Sequence, residues 1–200
     1  MNTTINTLIE DGIQGGQTYL AYRELVAMLV VEGKTTGIEQ REDLIGYTAL
    51  NERRMRRWDK TLKIAPEAIA RTANTTEKVT WVVLTESWCG DAAHVIPVLN
   101  KLAELNPGVT LKIVMRDKNE ALMDQFLTNG GRSIPKLIAY DTIKKEVKYT
   151  WGPRPSVATK LVNEYKAEHG ALDLEFKETL QKWYNTNRGQ AIVTDMLALI

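Results

Sequence analysis

The 200-residue chain contains one cysteine, two histidines and no marked excess of either charge. The single cysteine, Cys89, excludes an intramolecular disulfide and is typical of proteins from a reducing compartment. One cysteine and two histidines are too few for a usual four-ligand structural zinc site, so we expect no metal. The formal net charge of +1 argues against a protein that binds nucleic acid or a membrane surface, because such proteins usually carry a basic excess.

Long apolar runs are also missing. The longest run covers residues 25–31, and its seven residues are too few to cross a bilayer. The N-terminus has neither the basic region nor the apolar core of a signal peptide. We therefore expect a cytoplasmic protein with no membrane partner.

One short segment is strongly basic. We interpret it as the solvent-facing side of a helix, because Trp58 is the only aromatic residue near it and a phosphate-binding patch is the less favoured alternative. Its basic residues are Arg53, Arg54, Arg56, Arg57 and Lys60.

Residues 1–77 are predicted to form a helical N-terminal extension. Apolar side chains recur at spacings of three and four over residues 17–31, and a second amphipathic helix is expected over residues 38–62. Pro66 suits the first turn of a short helix that runs to residue 71. The polar stretch 73–77 ends this pattern.

Residues 78–170 have a different character, and we predict an α/β domain. The expected order is β-α-β-α-β-β-α, which gives a mixed four-stranded sheet with helices on both faces. The strands are predicted at 79–84, 109–115, 136–140 and 145–151, and the helices at 91–105, 120–127 and 155–168. Residues 171–200 form a C-terminal helical extension, with Asp173 capping a helix that reaches residue 184 and a further turn or two near the end.

Three motifs accompany this order of elements. Residues 87–92 read Ser-Trp-Cys-Gly-Asp-Ala, Pro97 follows Cys89 by eight positions, and residues 131–135 read Gly-Arg-Ser-Ile-Pro. Together with the element order, they resemble the thioredoxin superfamily, and in particular bacterial thioredoxin-like proteins with a Trp-Cys-Gly-Asp motif and helical extensions.

The resemblance implies a thioredoxin-like fold in which Cys89 is the active-site thiol. It also implies that the Ile134–Pro135 peptide bond is cis and lies beside the sulfur. The residues it places at a substrate-binding surface are Trp88, Gly90, Asp91, Arg132, Ile134 and Pro135.

Two positions depart from the family pattern. Ala92 stands where the family has its second, resolving cysteine, and Val83 stands where it has a buried aspartate that assists proton transfer. Both departures argue against ordinary dithiol reductase activity. The leading hypothesis is monothiol thiol–disulfide exchange or a role in redox homeostasis, with a protein or low-molecular-weight thiol or disulfide as partner and no cofactor. The alternative is a non-catalytic binding or regulatory protein that has kept the fold.

Two local electrostatic effects on the pKa of Cys89 are predicted to act in opposite directions. The N-terminus of the following helix favours a thiolate, whereas Asp91 disfavours it. Arg132 and Arg154 are candidates for offsetting Asp91, and Arg132 is the better one because it lies just before Pro135. His94 lies about 140° around the helix from Cys89, so a Cys–His dyad is improbable and a partly exposed histidine is expected.

Overall fold

The computed structural model describes residues 4–74 and 78–200. The predicted junction between the N-terminal extension and the α/β domain, at residues 77 and 78, falls partly outside these residues. The described helices are α1 (Ile5–Gly15), α2 (Tyr19–Glu32), α3 (Glu42–Thr61), α4 (Pro66–Ala73), α5 (Ala92–Leu105), α6 (Glu120–Met123), α7 (Ser156–His169), α8 (Leu174–Asn187) and α9 (Gln190–Leu197). The strands are β1 (Val79–Thr85), β2 (Val109–Met115), β3 (Lys136–Asp141) and β4 (Glu146–Trp151).

The strands form the predicted mixed sheet, in the order β2-β1-β3-β4. Strand β1 pairs in parallel with β2 and antiparallel with β3, and β3 pairs antiparallel with β4. Every residue of β1 is buried, which requires cover on both faces of the sheet. The predicted α/β class, with a thioredoxin-like sheet and helical extensions, is confirmed.

Helix α1 packs on the sheet beside α6. Ile9 is fully buried, and Gly12 allows a close approach, because a Cβ atom there would lie 3.0 Å from a side-chain carbon of Leu122. The first helix of the extension is therefore part of the core of the α/β domain. The sequence pattern did not single this helix out.

Gln17 was predicted to begin a helix, and this is wrong. Its backbone N–H and C=O pair with Ile113 at 2.8 Å, and the hydroxyl of Thr18 then caps α2 by accepting from the N–H of Ala21. This short bridge covers part of the outer edge of β2, where unpaired backbone groups would otherwise invite another strand.

Helix α5 carries the predicted motif at its start and is buried over most of its length. It packs against β2 on one side, and α3, α4 and α9 contact its other side. The helix that follows Cys89 is thus enclosed between the sheet and helices from both extensions.

Smaller differences from the predicted bounds have local causes. Helix α3 begins at Glu42 rather than at residue 38. Helix α6 ends at Met123 rather than at residue 127, because a bridge between Thr128 and Gly131 turns the chain toward β3. Within residues 4–74 and 78–200, no helix is both long and apolar enough to span a membrane.

The C-terminal helix α9 is fastened to the α/β domain through one carboxylate. Asp195 accepts hydrogen bonds from the backbone N–H and the hydroxyl of Ser156, both at 2.7 Å, and from the indole N–H of Trp151 at 3.0 Å. It therefore caps the start of α7 from a distant part of the chain, a position at which a side-chain acceptor satisfies free backbone N–H groups.

We expect Asp195→Ala to lower the free energy of unfolding by about 1–3 kcal/mol, because three donors lose their acceptor. Urea denaturation followed by circular dichroism measures this change. Glu178→Ala, at an exposed position of α8, is the matched control and should change stability little. Equal effects of the two substitutions would contradict the capping role.

Candidate functional site

Cys89 lies in a tight turn between β1 and α5. Its backbone N–H donates to the carbonyl of Glu86 at 3.1 Å, and its own carbonyl accepts from the N–H of Ala93 at 3.3 Å. The thiol donates to the carbonyl oxygen of Ile134 at 3.2 Å, and the Ile134–Pro135 peptide bond is cis. The structure thus brings Cys89, Ile134 and Pro135 together, but only 7% of Cys89 is exposed.

Asp91, two residues further on, is at the centre of a buried polar cluster. Its carboxylate forms an ion pair with Arg154, with 2.6 Å between the closest atoms, and accepts a hydrogen bond from the hydroxyl of Tyr184 at 2.9 Å. Tyr184 belongs to α8, so this cluster joins the motif to the C-terminal extension. Because these partners hold its side chain, Asp91 makes no side-chain cap for α5.

Arg154 reaches Asp91 because the turn before α7 runs close to Pro135. Gly152 in this turn has a φ of +107°, and a Cβ atom there would lie 2.3 Å from the carbonyl oxygen of Pro135. Only glycine accommodates both the backbone conformation and the close approach.

The thiol of Cys89 is held in its neutral form. Burial and, to a lesser extent, the negative charge of Asp91 raise its pKa from 9.0 to about 12. Hydrogen bonding from the backbone of Ala92, at the start of α5, and the guanidinium of Arg154 lower the pKa, but by less. Of the two opposing effects predicted from the sequence, the helix N-terminus is therefore the weaker, and burial outweighs it.

The N-terminal extension is bonded to the residue that precedes Trp88. The side-chain amide of Asn51 donates to the carbonyl of Ser87 at 2.9 Å, and the backbone N–H of Ser87 donates to the hydroxyl of Thr36 at 2.7 Å. The hydroxyl of Ser87 also lies within 3.1 Å of three buried threonine hydroxyls, those of Thr35, Thr36 and Thr48. Buried hydroxyls with this many partners hold the turn in one position.

Helix α2 contributes a further aromatic side chain to the site. Tyr22 is buried, and its pKa is raised by burial and by its proximity to Cys89 and Glu86. Glu86 is itself buried, which raises its pKa, and one of its oxygens accepts from the backbone N–H of Asp117 at 2.8 Å. The site therefore contains a buried carboxyl group three residues before Cys89, although Val83 replaces the aspartate of the family pattern.

The expectation that His94 is partly exposed is wrong, since only 1% of it is exposed. Its Nδ1 accepts from the indole N–H of Trp58 at 2.9 Å, so Nε2 carries the proton and donates to the side-chain oxygen of Gln181 at 2.6 Å. The ring also stacks on Tyr184 with 4.5 Å between centroids. Burial lowers the pKa of His94 to about 4, so the imidazole is neutral at physiological pH.

Arg132 is not the cation beside Cys89. Its guanidinium is exposed and forms ion pairs with Asp124 at 2.7 Å and Glu120 at 2.9 Å. Arg154 occupies the position near the motif instead, because the turn before α7 packs against Pro135 and the loop before Pro135 turns away toward α6.

The two remaining motif residues face different elements. Trp88 is partly buried, and the guanidinium of Arg116 lies 5.0 Å from its ring centroid, which is a cation–π distance. Gly90 faces α3 and α8, because a Cβ atom there would lie 3.5 Å from Arg54 and 3.7 Å from Gln181.

The predicted thioredoxin-like fold agrees with what is found among known proteins. A family model described as thioredoxin matches residues 37–166, which is well over half of the chain. The chain belongs to this thioredoxin family. No curated protein matches it significantly.

Two solved structures are similar to this thioredoxin-family chain over nearly its whole length. One is a protein of unknown function from Pseudomonas aeruginosa, with 16% identity, a TM-score of 0.64 and coverage of 94% of this chain and 93% of the other. The second is an HIV epitope scaffold, with 15% identity, a TM-score of 0.62 and coverage of 95% of each chain. At such identities the similarity shows the fold alone.

We expect the ultraviolet absorbance of the Cys89 thiolate to stay absent up to pH 9.0, the ordinary thiol pKa, because burial and Asp91 hold the pKa near 12. Asp91→Asn should lower the pKa, since it removes the anion and leaves Arg154 without its partner. Asp124→Asn, at an exposed aspartate paired with Arg132, is the control and should leave the pKa unchanged. A wild-type pKa at or below 9.0 would contradict the electrostatic account.

His94 should make the stability of this thioredoxin-family protein depend on pH. Its folded-state pKa of about 4 lies below its ordinary value of 6.5, so the unfolded chain binds more protons between these two values. Stability is therefore complete above pH 6.5 and falls as the pH drops toward 4, by up to about 3 kcal/mol. Denaturant titrations of wild type and His94→Gln across this range test the difference in slope. His169→Gln, at the exposed histidine, is the control for a histidine outside the core.

Proposed function

We propose that this protein is a thioredoxin-fold binding or regulatory protein rather than a thiol reductase. The observation that carries the proposal is the state of Cys89, which is 7% exposed and has a pKa raised to about 12. A thiol with that pKa is a thiolate in only about one molecule in 10⁵ at pH 7. The thiolate is the form that attacks a disulfide, so a buried, neutral thiol is unsuited to thiol–disulfide exchange.

The thiol and the backbone carbonyl that an incoming substrate would meet are also hydrogen-bonded to each other. The thiol of Cys89 donates to the carbonyl of Ile134, so neither group is free to meet an incoming disulfide or an extended peptide. Ala92 supplies no resolving thiol, and Cys89 is the single cysteine of the sequence. These features agree with a protein that has kept the thioredoxin fold but not the dithiol reaction.

The extensions provide the structural reason for the burial of Cys89. Tyr22 from α2, Asn51 from α3 and Tyr184 from α8 each contact the motif or lie close to it. In a binding protein these helices have two effects, because they hold the motif in place and present new surfaces around it.

Monothiol exchange is the second candidate, and two observations favour it. Cys89 lies three residues before the first residue of α5, where a hydrogen bond from the backbone of Ala92 lowers the thiol pKa, and the backbone carbonyl oxygen of Ile134 lies 3.2 Å from the sulfur. In that reaction the Cys89 thiolate would attack a disulfide, form a mixed disulfide and release one thiolate. A second thiol from solution would then attack the mixed disulfide and regenerate Cys89. The exchange would require an opening that exposes the thiol, because only 7% of Cys89 is exposed.

Incubation with oxidised glutathione, followed by intact-protein mass spectrometry, separates the two candidates. We expect the native protein to acquire far less adduct than the same protein unfolded in urea, whereas Cys89→Ser acquires none in either state. Rapid modification of the native wild-type protein, at a rate close to that of the unfolded chain, would overturn the binding proposal in favour of monothiol exchange.

A further inference from the structure

We propose that a pocket between α3 and α8, beside the Cys89 motif, binds the carboxylate or phosphate group of a small anionic molecule. The inference rests on the proposed binding function and names the class of ligand. The pocket has a volume of about 240 Å³, which suits a phosphate or a small carboxylic acid. Its lining combines three arginines with neutral polar and aromatic side chains, and the arginines are Arg53, Arg54 and Arg57.

These three guanidinium groups have no acidic partner among the ion pairs of the described residues. Arg54 donates to the amide oxygen of Asn51 at 2.9 Å, and Arg57 donates to that of Asn185 at 2.6 Å. Both partners are neutral, so they leave the positive charge uncompensated. Arg56 on the same helix differs, because it forms an ion pair with Glu52 at 2.9 Å.

A larger groove, of about 670 Å³, differs from this pocket because its positive charges are paired. Its cations are matched by carboxylates, since Arg23 pairs with Asp59 at 3.0 Å and Lys101 pairs with Glu104 at 3.0 Å. An anion entering that groove would compete with side chains already in place. In the smaller pocket it would displace only neutral amides.

The acidic side chain that interacts with a pocket arginine is that of Asp91, and it already has a cationic partner. Asp91 interacts electrostatically with Arg54, but its carboxylate is held by Arg154 at 2.6 Å. The remaining polar lining consists of amides and the neutral His94, none of which repels an anion by charge. Guanidinium groups bind carboxylate and phosphate oxygens through paired hydrogen bonds, so two or three of them suffice for one anionic group.

The pocket adjoins the motif directly. A Cβ atom at Gly90 would lie 3.5 Å from the guanidinium of Arg54 and 3.7 Å from the amide of Gln181, so the backbone next to Cys89 separates the thiol from the pocket. The basic segment that the sequence indicated as a solvent-facing helix surface is exposed at four residues, as predicted, namely Arg53, Arg56, Arg57 and Lys60, whereas Arg54 is partly buried. Helix α8 turns part of that surface into a pocket.

Isothermal titration calorimetry with inorganic phosphate and with citrate tests the site, with sodium chloride at equal ionic strength as the control for non-specific attraction. We expect Arg53→Gln/Arg57→Gln to weaken binding at least about tenfold, because charged hydrogen bonds to the anion are lost. Arg56→Gln removes the same charge from the same helix outside the pocket and should bind like the wild type. Binding of phosphate alone or citrate alone identifies the anionic group, and either supports the proposal.

A spectroscopic measurement keeps the test valid if the double variant does not fold. The ring of His94 lines the pocket together with Arg54 and Arg57, so an anion bound there should shift the His94 ring signals in the NMR spectrum. His169, the only other histidine, is exposed and should not shift. No heat of binding with either anion, or equal shifts of both histidines, would overturn the proposal.

Cys89→Ser separates this inference from the proposed function. Anion binding by Cys89→Ser at wild-type strength shows that the pocket acts without the thiol, whatever the outcome of the glutathione experiment. Loss of binding in Cys89→Ser, with the fold intact by circular dichroism, would contradict a site formed by the arginines.

Discussion

The buried carboxylate of Asp91 is the interaction on which the rest of the site depends. It joins three parts of the chain that are distant in sequence: the turn that bears Cys89, the turn before α7 through Arg154, and α8 through Tyr184. A charge with 8% exposure is tolerated because both oxygens have strong partners. Removing one partner of a buried pair typically costs about 3–5 kcal/mol, so the motif and the C-terminal extension are expected to be ordered together.

This arrangement has a direct chemical consequence for Cys89. A helix N-terminus lowers a thiol pKa when the thiol is partly exposed, as in reactive cysteines. Here the helices that satisfy Asp91 and Ser87 also exclude water from the sulfur, and the loss of solvation exceeds the helix effect. The same packing holds His94 neutral between Trp58 and Gln181. The burial that stabilises the motif therefore also raises the pKa of its thiol, and Arg53 and Arg57 of α3 remain exposed nearby.

Much of the fold could be predicted because its signals are local. The β-branched run of β1, the Ser-Trp-Cys-Gly-Asp-Ala motif and the hairpin of β3 and β4 are all visible in short windows of sequence, and the sheet followed from them. The site was predicted less well, because its decisive contacts are long-range. Nothing near Cys89 in the sequence indicates that Tyr184 would reach Asp91, or that Trp58 and Gln181 would enclose His94.

The choice between Arg132 and Arg154 illustrates the same limit. Proximity in sequence to Pro135 favoured Arg132, whereas the close approach of Gly152 to Pro135 placed Arg154 at the motif. A glycine followed by two prolines within four residues was the available signal, because such a turn has few conformations and can pass close to another backbone.

The central claim is that packed helices, rather than local chemistry, keep Cys89 unreactive. The rate of Cys89 alkylation by iodoacetamide in the native protein, measured across sub-denaturing urea concentrations, tests it most directly. Our account predicts slow labelling that accelerates with urea, because reaction requires an opening that exposes buried surface. Labelling at the rate of a free thiol, independent of urea below the unfolding transition, would contradict it.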